Sequence, residues 1–130
     1  SLPSSTPSAA PCVATDKAQY CVGDAIPVSF NYEDPLTDDW IGIYPCDVPF
    51  YLHAIVWQWN CGSPGCRNTP PAKERGTLVF DELPPYNVVG PHSWPVQAGC
   101  HRAVYLRNDG PSVPPYIQVC ESEIFDVVNC

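Results

Sequence analysis

Proline residues are spread along this chain so densely that they limit what it can fold into. There are 17 prolines among 130 residues, whereas about 5% is usual in proteins. The longest stretches without proline or glycine run from Phe50 to Cys61 and from Tyr116 to Cys130. Because proline breaks helix interiors, the sequence excludes long helices and helical bundles. Its length fits one domain with a single hydrophobic core.

Acidic residues outnumber basic ones, with 14 Asp and Glu against 6 Lys and Arg and a net charge of -8. Phosphate binding needs clustered cations, so the sequence predicts no nucleic-acid partner. The longest mostly apolar run, Val48 to Trp59, is shorter than the roughly 20 residues that span a bilayer. The sequence therefore also predicts no membrane insertion.

Eight cysteines predict a disulfide-stabilised protein. They are Cys12, Cys21, Cys46, Cys61, Cys66, Cys100, Cys120 and Cys130. No C-x-x-C pair indicates a zinc or redox site, and disulfides persist in oxidising compartments. We therefore expect a secreted, extracellular protein. Cys61 and Cys66 enclose only four residues and are predicted to pair across a tight turn, while the other six leave 15 connectivities open.

Short apolar runs of period two, separated by turn residues, predict an all-β domain. The clearest strand covers residues 25–32, where Ile26, Val28 and Phe30 face one way. Six further strands are expected at 13–20, 39–45, 53–59, 76–81, 101–107 and 116–128. About seven short strands indicate an antiparallel β-sandwich of immunoglobulin or fibronectin type III character. This domain spans 12–130, and the Ser/Thr/Pro-rich segment 1–11 is an N-terminal extension.

Several short motifs occur in a recognisable order. DDWIGIYP and HAIVWQW are followed by GTLVFDELP, AGCHRAVYLRNDG and SEIFDV. Together they resemble SKICH domains and the amino-terminal β-sandwich of plant purple acid phosphatases. The resemblance implies a noncatalytic accessory or interaction module. The eight cysteines depart from those families, so the partners of the intracellular relatives are not carried over.

No residue set predicts catalysis. His53, His92 and His101 lie apart and lack the signature of a nucleophile with its base, so we expect no enzyme and no catalytic or metal residues. An acidic loop, with Glu33, Asp34, Asp38 and Asp39, is interpreted as solvated turn carboxylates. Calcium is the alternative ligand there, and no other cofactor is expected.

The tryptophans allow two interpretations. Trp57 and Trp59 fall on one face of a strand together with Ile55, which indicates either core packing or a stacking platform for sugars. Trp40 is expected in the core, and Trp94 is expected to be exposed.

The N-terminal extension has prolines at 3, 7 and 11, all odd positions. Alternate residues in an extended strand direct their backbone groups to the same side. Because proline has no backbone N–H, every missing hydrogen-bond donor lies on the side of the odd-numbered residues. The even residues can then pair with a sheet edge: Leu2, Ser4, Thr6, Ser8 and Ala10. The sequence favours a strand given to a neighbouring copy. The alternative is a tail folded back on its own domain or held by a bridge at Cys12.

Glycan attachment follows from residue types. No asparagine lies in an N-x-Ser/Thr sequon. Ser4, Ser5, Thr6 and Ser8 lie between prolines and are predicted O-glycan acceptors. A cysteine-rich sandwich with a Ser/Thr/Pro tail also resembles a repeating unit of extracellular glycosylated fibrils.

These inferences lead to one functional prediction and one alternative. The prediction is a non-enzymatic structural subunit of a secreted, O-glycosylated filament. The filament is a homopolymer that assembles head to tail, each copy donating its N-terminal extension as a strand to the next copy. The alternative is a carbohydrate-binding or accessory module of a larger secreted protein.

Overall fold

The structure, a computed structural model, describes residues 12–33, 35, 39–47, 54–60, 74–81, 94–108 and 116–130. Within these ranges the chain forms nine strands and no helix. They are β1 Val13–Thr15, β2 Gln19–Cys21, β3 Ile26–Asn31, β4 Trp40–Pro45, β5 Val56–Trp59, β6 Arg75–Phe80, β7 Gly99–Asn108, β8 Tyr116–Glu121 and β9 Phe125–Val128.

Two sheets pack face to face. One sheet has three strands in the order β1-β3-β6, and the other has six, in the order β2-β9-β7-β4-β5 with β8 also paired to β7. The main core lies between them and draws on the inner faces of both sheets. The predicted all-β sandwich is confirmed, with nine described strands instead of about seven.

The first extra strand arises because the predicted strand 13–20 divides between the sheets. β1 pairs antiparallel with β3, whereas β2 pairs parallel with β9. Side chains hold the crossing in place: Thr15 Oγ1 donates to the carbonyl of Lys17 at 2.8 Å, and the Tyr20 hydroxyl donates to Asp16. Burial, and then this bond to Asp16, raise the pKa of Tyr20 to about 12. The sandwich therefore contains one parallel pair that its alternating pattern did not predict.

The second extra strand arises at Ser122, which divides the predicted strand 116–128 into β8 and β9. Both strands pair with the long strand β7: β8 pairs with its second half and β9 with its first. The Ser122 N–H donates to the Ala103 carbonyl at 2.8 Å, and the Ser122 hydroxyl accepts from the Ala103 N–H at 2.9 Å. A buried serine thus substitutes for regular strand pairing where the two halves meet.

Strand β3 shows how the core forms from the period-two pattern. Ile26, Val28 and Phe30 are buried, while Ser29 and Asn31 are exposed. Facing side chains of the six-stranded sheet include Ile41 and Ile43 of β4, both fully buried. Burying an aliphatic or aromatic side chain of this size contributes roughly 1.5–3 kcal/mol, so the predicted inner face of β3 stabilises the sandwich directly.

Pro27 lies in β3, the central strand of its sheet, although proline removes a ladder donor. The register explains why it fits there. The Tyr32 N–H donates to the Glu74 carbonyl at 2.8 Å, and bonded pairs alternate along an antiparallel ladder. Pro27 and Val79 therefore form a non-bonded pair. On the other side of β3, Pro27 has no partner in β1, because β1 ends at Thr15, opposite Val28.

Three disulfides join the described cysteines: Cys12–Cys120, Cys21–Cys130 and Cys46–Cys100. The first connects the two sheets, from the residue before β1 to β8. The second ties β2 to the residues after β9, and the third links the ends of β4 and β7. The disulfide prediction is confirmed for these six cysteines, while the predicted Cys61–Cys66 pair lies outside the described residues.

Candidate assembly surface

Strand β4 carries the DWIGIY motif and is buried on both faces. Ile41 and Ile43 belong to the main core, whereas Trp40 and Tyr44 belong to a second apolar cluster on the opposite face. Gly42 lies between these two rings, and a Cβ atom there would be 3.0 Å from Trp40 and 3.1 Å from Tyr44. The motif needs glycine at this position because the flanking rings occupy the space above it.

Asp39 precedes this strand and is fully buried, with 0% of its surface exposed. Its carboxylate accepts a hydrogen bond from the Tyr105 hydroxyl at 2.8 Å, and Asn60 Nδ2 donates to the same hydroxyl at 3.0 Å. Burial, and then the nearby Asp39 charge, raise the pKa of Tyr105. This cluster joins β4, β7 and the end of β5 inside the sandwich.

The buried position of Asp39 corrects the interpretation of the acidic loop. Asp39 is not a solvated turn carboxylate, because its partner is a buried tyrosine. Glu33 is described, but Asp34 and Asp38 lie outside the described residues. Within the described ranges, no group of three or more His, Cys, Asp or Glu residues could hold a metal ion. Calcium binding at this loop stays an untested alternative.

Trp57 and Trp59 share one face of β5, as predicted, and pack edge to face with ring centroids 5.0 Å apart. They join Trp40 in the second cluster, where Trp40 is 7% and Trp59 is 8% exposed. Ile55 does not share their face, because it lies before β5 and packs against the main core. Core packing of Trp40 and Trp59 is confirmed, which leaves Trp57 as the partly exposed ring of the three.

Two other predicted positions are described. Trp94, expected to be exposed, is partly buried against the main core. His101 is buried; its Nδ1 lies 3.0 Å from the Gly99 carbonyl, and its ring stacks on Phe125. Burial lowers the pKa of His101 despite the opposing influence of Gly99 and Asp126. Its contacts are those of a packed strand residue, while His53 and His92 lie outside the described residues.

Strand β6 has one described neighbour, β3, and so forms an edge of the three-stranded sheet. Because Val79 forms a non-bonded pair with Pro27, its backbone N–H and carbonyl point away from β3. Gln58 Nε2 donates to that carbonyl at 2.9 Å, which confirms the direction. By the same alternation, the backbone groups of Arg75 and Thr77 also point outward. We call this row, Arg75, Thr77 and Val79, the β6 edge.

Side chains beside Arg75 and Thr77 leave that part of the β6 edge approachable, whereas the Val79 carbonyl already accepts a hydrogen bond from Gln58. Val79 is 45% exposed, and Thr77 is exposed and pairs with Ser29 through hydroxyl oxygens 3.1 Å apart. A single ion pair among the described residues lies near this edge, between exposed Arg75 and Glu74. The chain has a net charge of -8. Apart from Arg75, however, the β6 edge presents the small uncharged side chains of Thr77 and Val79.

The predicted assembly residues, Leu2, Ser4, Thr6, Ser8 and Ala10, lie outside the described residues, as do the predicted glycan acceptors. The β6 edge was not predicted from sequence. Pro27 could have indicated this edge. A residue that forms a non-bonded pair with a proline directs its own N–H and carbonyl away from the proline's strand. That inference needed the pairing of β3 with β6, which residue types alone do not specify.

Comparisons with known proteins return no family: no protein-family model matches the chain, and no curated protein matches it. In the described part of the chain, no helix is long and apolar enough to cross a membrane. The three disulfides are typical of proteins that fold in an oxidising environment. The functional argument therefore rests on the geometry of the sandwich and its edges.

Proposed function

We propose that this protein is a non-enzymatic structural subunit of a secreted, O-glycosylated extracellular filament. Each copy donates its N-terminal extension, residues 1–11, as an added strand to a sheet edge of the next copy. The observation that carries the proposal is the β6 edge, a row of outward backbone groups on an edge strand of the three-stranded sheet.

The β6 edge suits the donor in length and pattern. β6 has six residues, as does β8, which pairs only with β7 among the described strands, whereas the other described edge strands, β1, β2 and β5, have three, three and four. The three outward residues of β6 can pair with three of the five even residues of the extension, all of which retain their N–H groups. The prolines at odd positions face away from the acceptor and prevent further strands from adding there.

Head-to-tail pairing produces a polymer because the two surfaces differ. The donor is the extension and the acceptor is an edge elsewhere on the same domain, so each added copy leaves another free acceptor and donor. Contacts of this kind form filaments when the rotation between copies does not close a ring. The Cys12–Cys120 bridge fixes the point at which the extension leaves the domain, which sets a constant geometry between neighbours.

Secretion and glycosylation complete the proposal. Three disulfides within a small domain support an extracellular location. O-glycans on Ser4, Ser5, Thr6 and Ser8 would surround the joint between copies. An intact mass equal to the sequence mass, less one hydrogen per cysteine, contradicts glycosylation without affecting the assembly proposal.

A glycan-binding module is the second candidate, and the partly exposed ring of Trp57 favours it. Aromatic rings bind sugars through their faces, so this function depends on one accessible tryptophan. A glycan array separates the candidates: saccharide binding by a monomer that Trp57→Ala removes supports the module. Absence of binding, together with filaments, supports the subunit.

Deletion of residues 1–11 tests the subunit proposal. We expect the full-length protein to form filaments in negative-stain micrographs and the deleted protein to remain monomeric. Circular dichroism and mass mapping of the three bridges should show that the deleted protein is folded. Filaments formed by the deleted protein contradict strand donation.

A further inference from the structure

We propose that the bridges Cys12–Cys120 and Cys21–Cys130 form a terminal clamp, which prevents the domain from extending when force pulls on its two ends. Both bridges connect the beginning of the domain to its end, with sequence separations of 108 and 109 residues. This property goes beyond the proposed filament, since it belongs to the folded monomer.

The terminal clamp is a covalent ring. Its first arm is 12–21, which contains β1 and β2, and its second arm is 120–130, which contains β9. The bridges join the arms at both ends, so two covalent paths connect Cys12 with Cys130. One path follows the first arm and crosses at Cys21, and the other crosses at Cys12 and follows the second arm. Residues 22–119 lie on neither path.

This connectivity limits how far the ends can separate. Each path has about ten residues, which span at most about 35 Å when fully extended. Without bridges, the roughly 118 residues from Cys12 to Cys130 would span about 400 Å. The clamp therefore reduces the available extension about tenfold, even if every strand of the sandwich separates.

Hydrogen bonds between the arms reinforce the ring. β2 and β9 run parallel, with Gln19 opposite Asp126. The Asp126 N–H donates to the Ala18 carbonyl at 2.9 Å, and the Val22 N–H donates to the Val128 carbonyl at 2.9 Å. Because the bridges join the two arms at both ends, force on Cys12 and Cys130 stretches these parallel strands side by side in the same direction. The hydrogen bonds between them therefore keep the two arms paired while the covalent paths carry the load.

The position of Cys12 extends this resistance to both sheets. Cys12 precedes β1 in the three-stranded sheet, and its bridge leads to β8, which pairs with β7 in the six-stranded sheet. Force that arrives through the residues before Cys12 therefore reaches both sheets at the Cys12–Cys120 bridge. A subunit held by its N-terminal extension cannot be peeled open from β1.

Single-molecule force spectroscopy tests the clamp on the oxidised full-length chain, held by peptide tags before Ser1 and after Cys130. We expect no unfolding step longer than about 35 Å beyond the stretching of residues 1–11 and the tags. The same chain under a reducing agent should extend by about 400 Å in total. Steps of 100 Å or more in the oxidised chain overturn the proposal. These single chains need no assembly, so the result is independent of the filament.

Paired serine substitutions provide a sharper test, because the two bridges are redundant. Removing either pair, Cys12 with Cys120 or Cys21 with Cys130, should leave the limit near 35 Å. Removing both pairs should raise it to about 220 Å, since Cys46–Cys100 still excludes 54 residues. A single-pair variant that extends by 100 Å or more contradicts the clamp. If the variants do not fold, the oxidised and reduced full-length chain still decides the outcome.

Discussion

The Gln58 side-chain amide donates a hydrogen bond to the Val79 carbonyl across 2.9 Å, and this bond joins the two sheets where their edge strands β5 and β6 meet. It also fixes the direction of the β6 backbone. Val79 turns its N–H and carbonyl away from β3 because its partner there, Pro27, has no N–H to donate.

Substitution of Val79 by proline should block assembly while leaving the domain folded. The outward N–H of Val79 is available to a donated strand, and proline removes it without removing a bond to β3. Val79→Ala is the matched control, because it shortens the side chain and keeps the N–H. We expect filaments from Val79→Ala but not from Val79→Pro, as measured by sedimentation and negative-stain microscopy. Filaments of normal length from Val79→Pro would exclude the β6 edge as the acceptor.

Substitution of Tyr105 by phenylalanine should destabilise the domain. It removes the hydrogen bond to the buried Asp39 carboxylate, and a buried polar group deprived of a partner costs about 1–3 kcal/mol. Tyr32→Phe is the control, because Tyr32 is partly exposed and its hydroxyl lies 3.5 Å from Arg107. Urea unfolding measures both free energies. Equal losses from the two variants contradict the importance of the Asp39–Tyr105 bond.

Acidification should weaken the fold through His101. Burial holds its folded-state pKa below 6.5, so the unfolded chain binds the proton more readily. Between the folded pKa and 6.5, stability therefore falls as pH decreases, and the contribution of neutral His101 is complete above 6.5. NMR titration of the His101 ring should show the lowered pKa, and unfolding free energies should show the loss. A His101 pKa above 6.5 reverses the sign and contradicts this account.

Much of the fold could be predicted from the sequence, because local patterns specify it. The alternation of Ile26, Val28 and Phe30 identified β3 and its buried face. The divisions at residues 16–18 and at Ser122 could not be predicted, since an apolar alternating run looks the same whether or not it changes sheet. The disulfide connectivity also depends on which strands become neighbours.

The candidate site was less predictable for the same reason. Asp39 looks like a loop carboxylate in sequence, because Tyr105, which binds it, lies 66 residues away. The proposed donor strand was inferred from proline parity alone, whereas the proposed acceptor required the register of β3 against β6. Local chemistry thus identified one partner of the proposed joint, and the tertiary fold identified the other.

Titration of the domain 12–130 with a synthetic peptide of residues 1–11 tests the central claim most directly. In two-dimensional NMR spectra of the ¹⁵N-labelled domain, we predict saturable shifts and slower hydrogen exchange at the outward amides of Arg75, Thr77 and Val79. The amides of Gly76 and Leu78, which already bond to β3, serve as internal controls. The absence of any saturable change along the β6 edge would contradict strand donation to this domain.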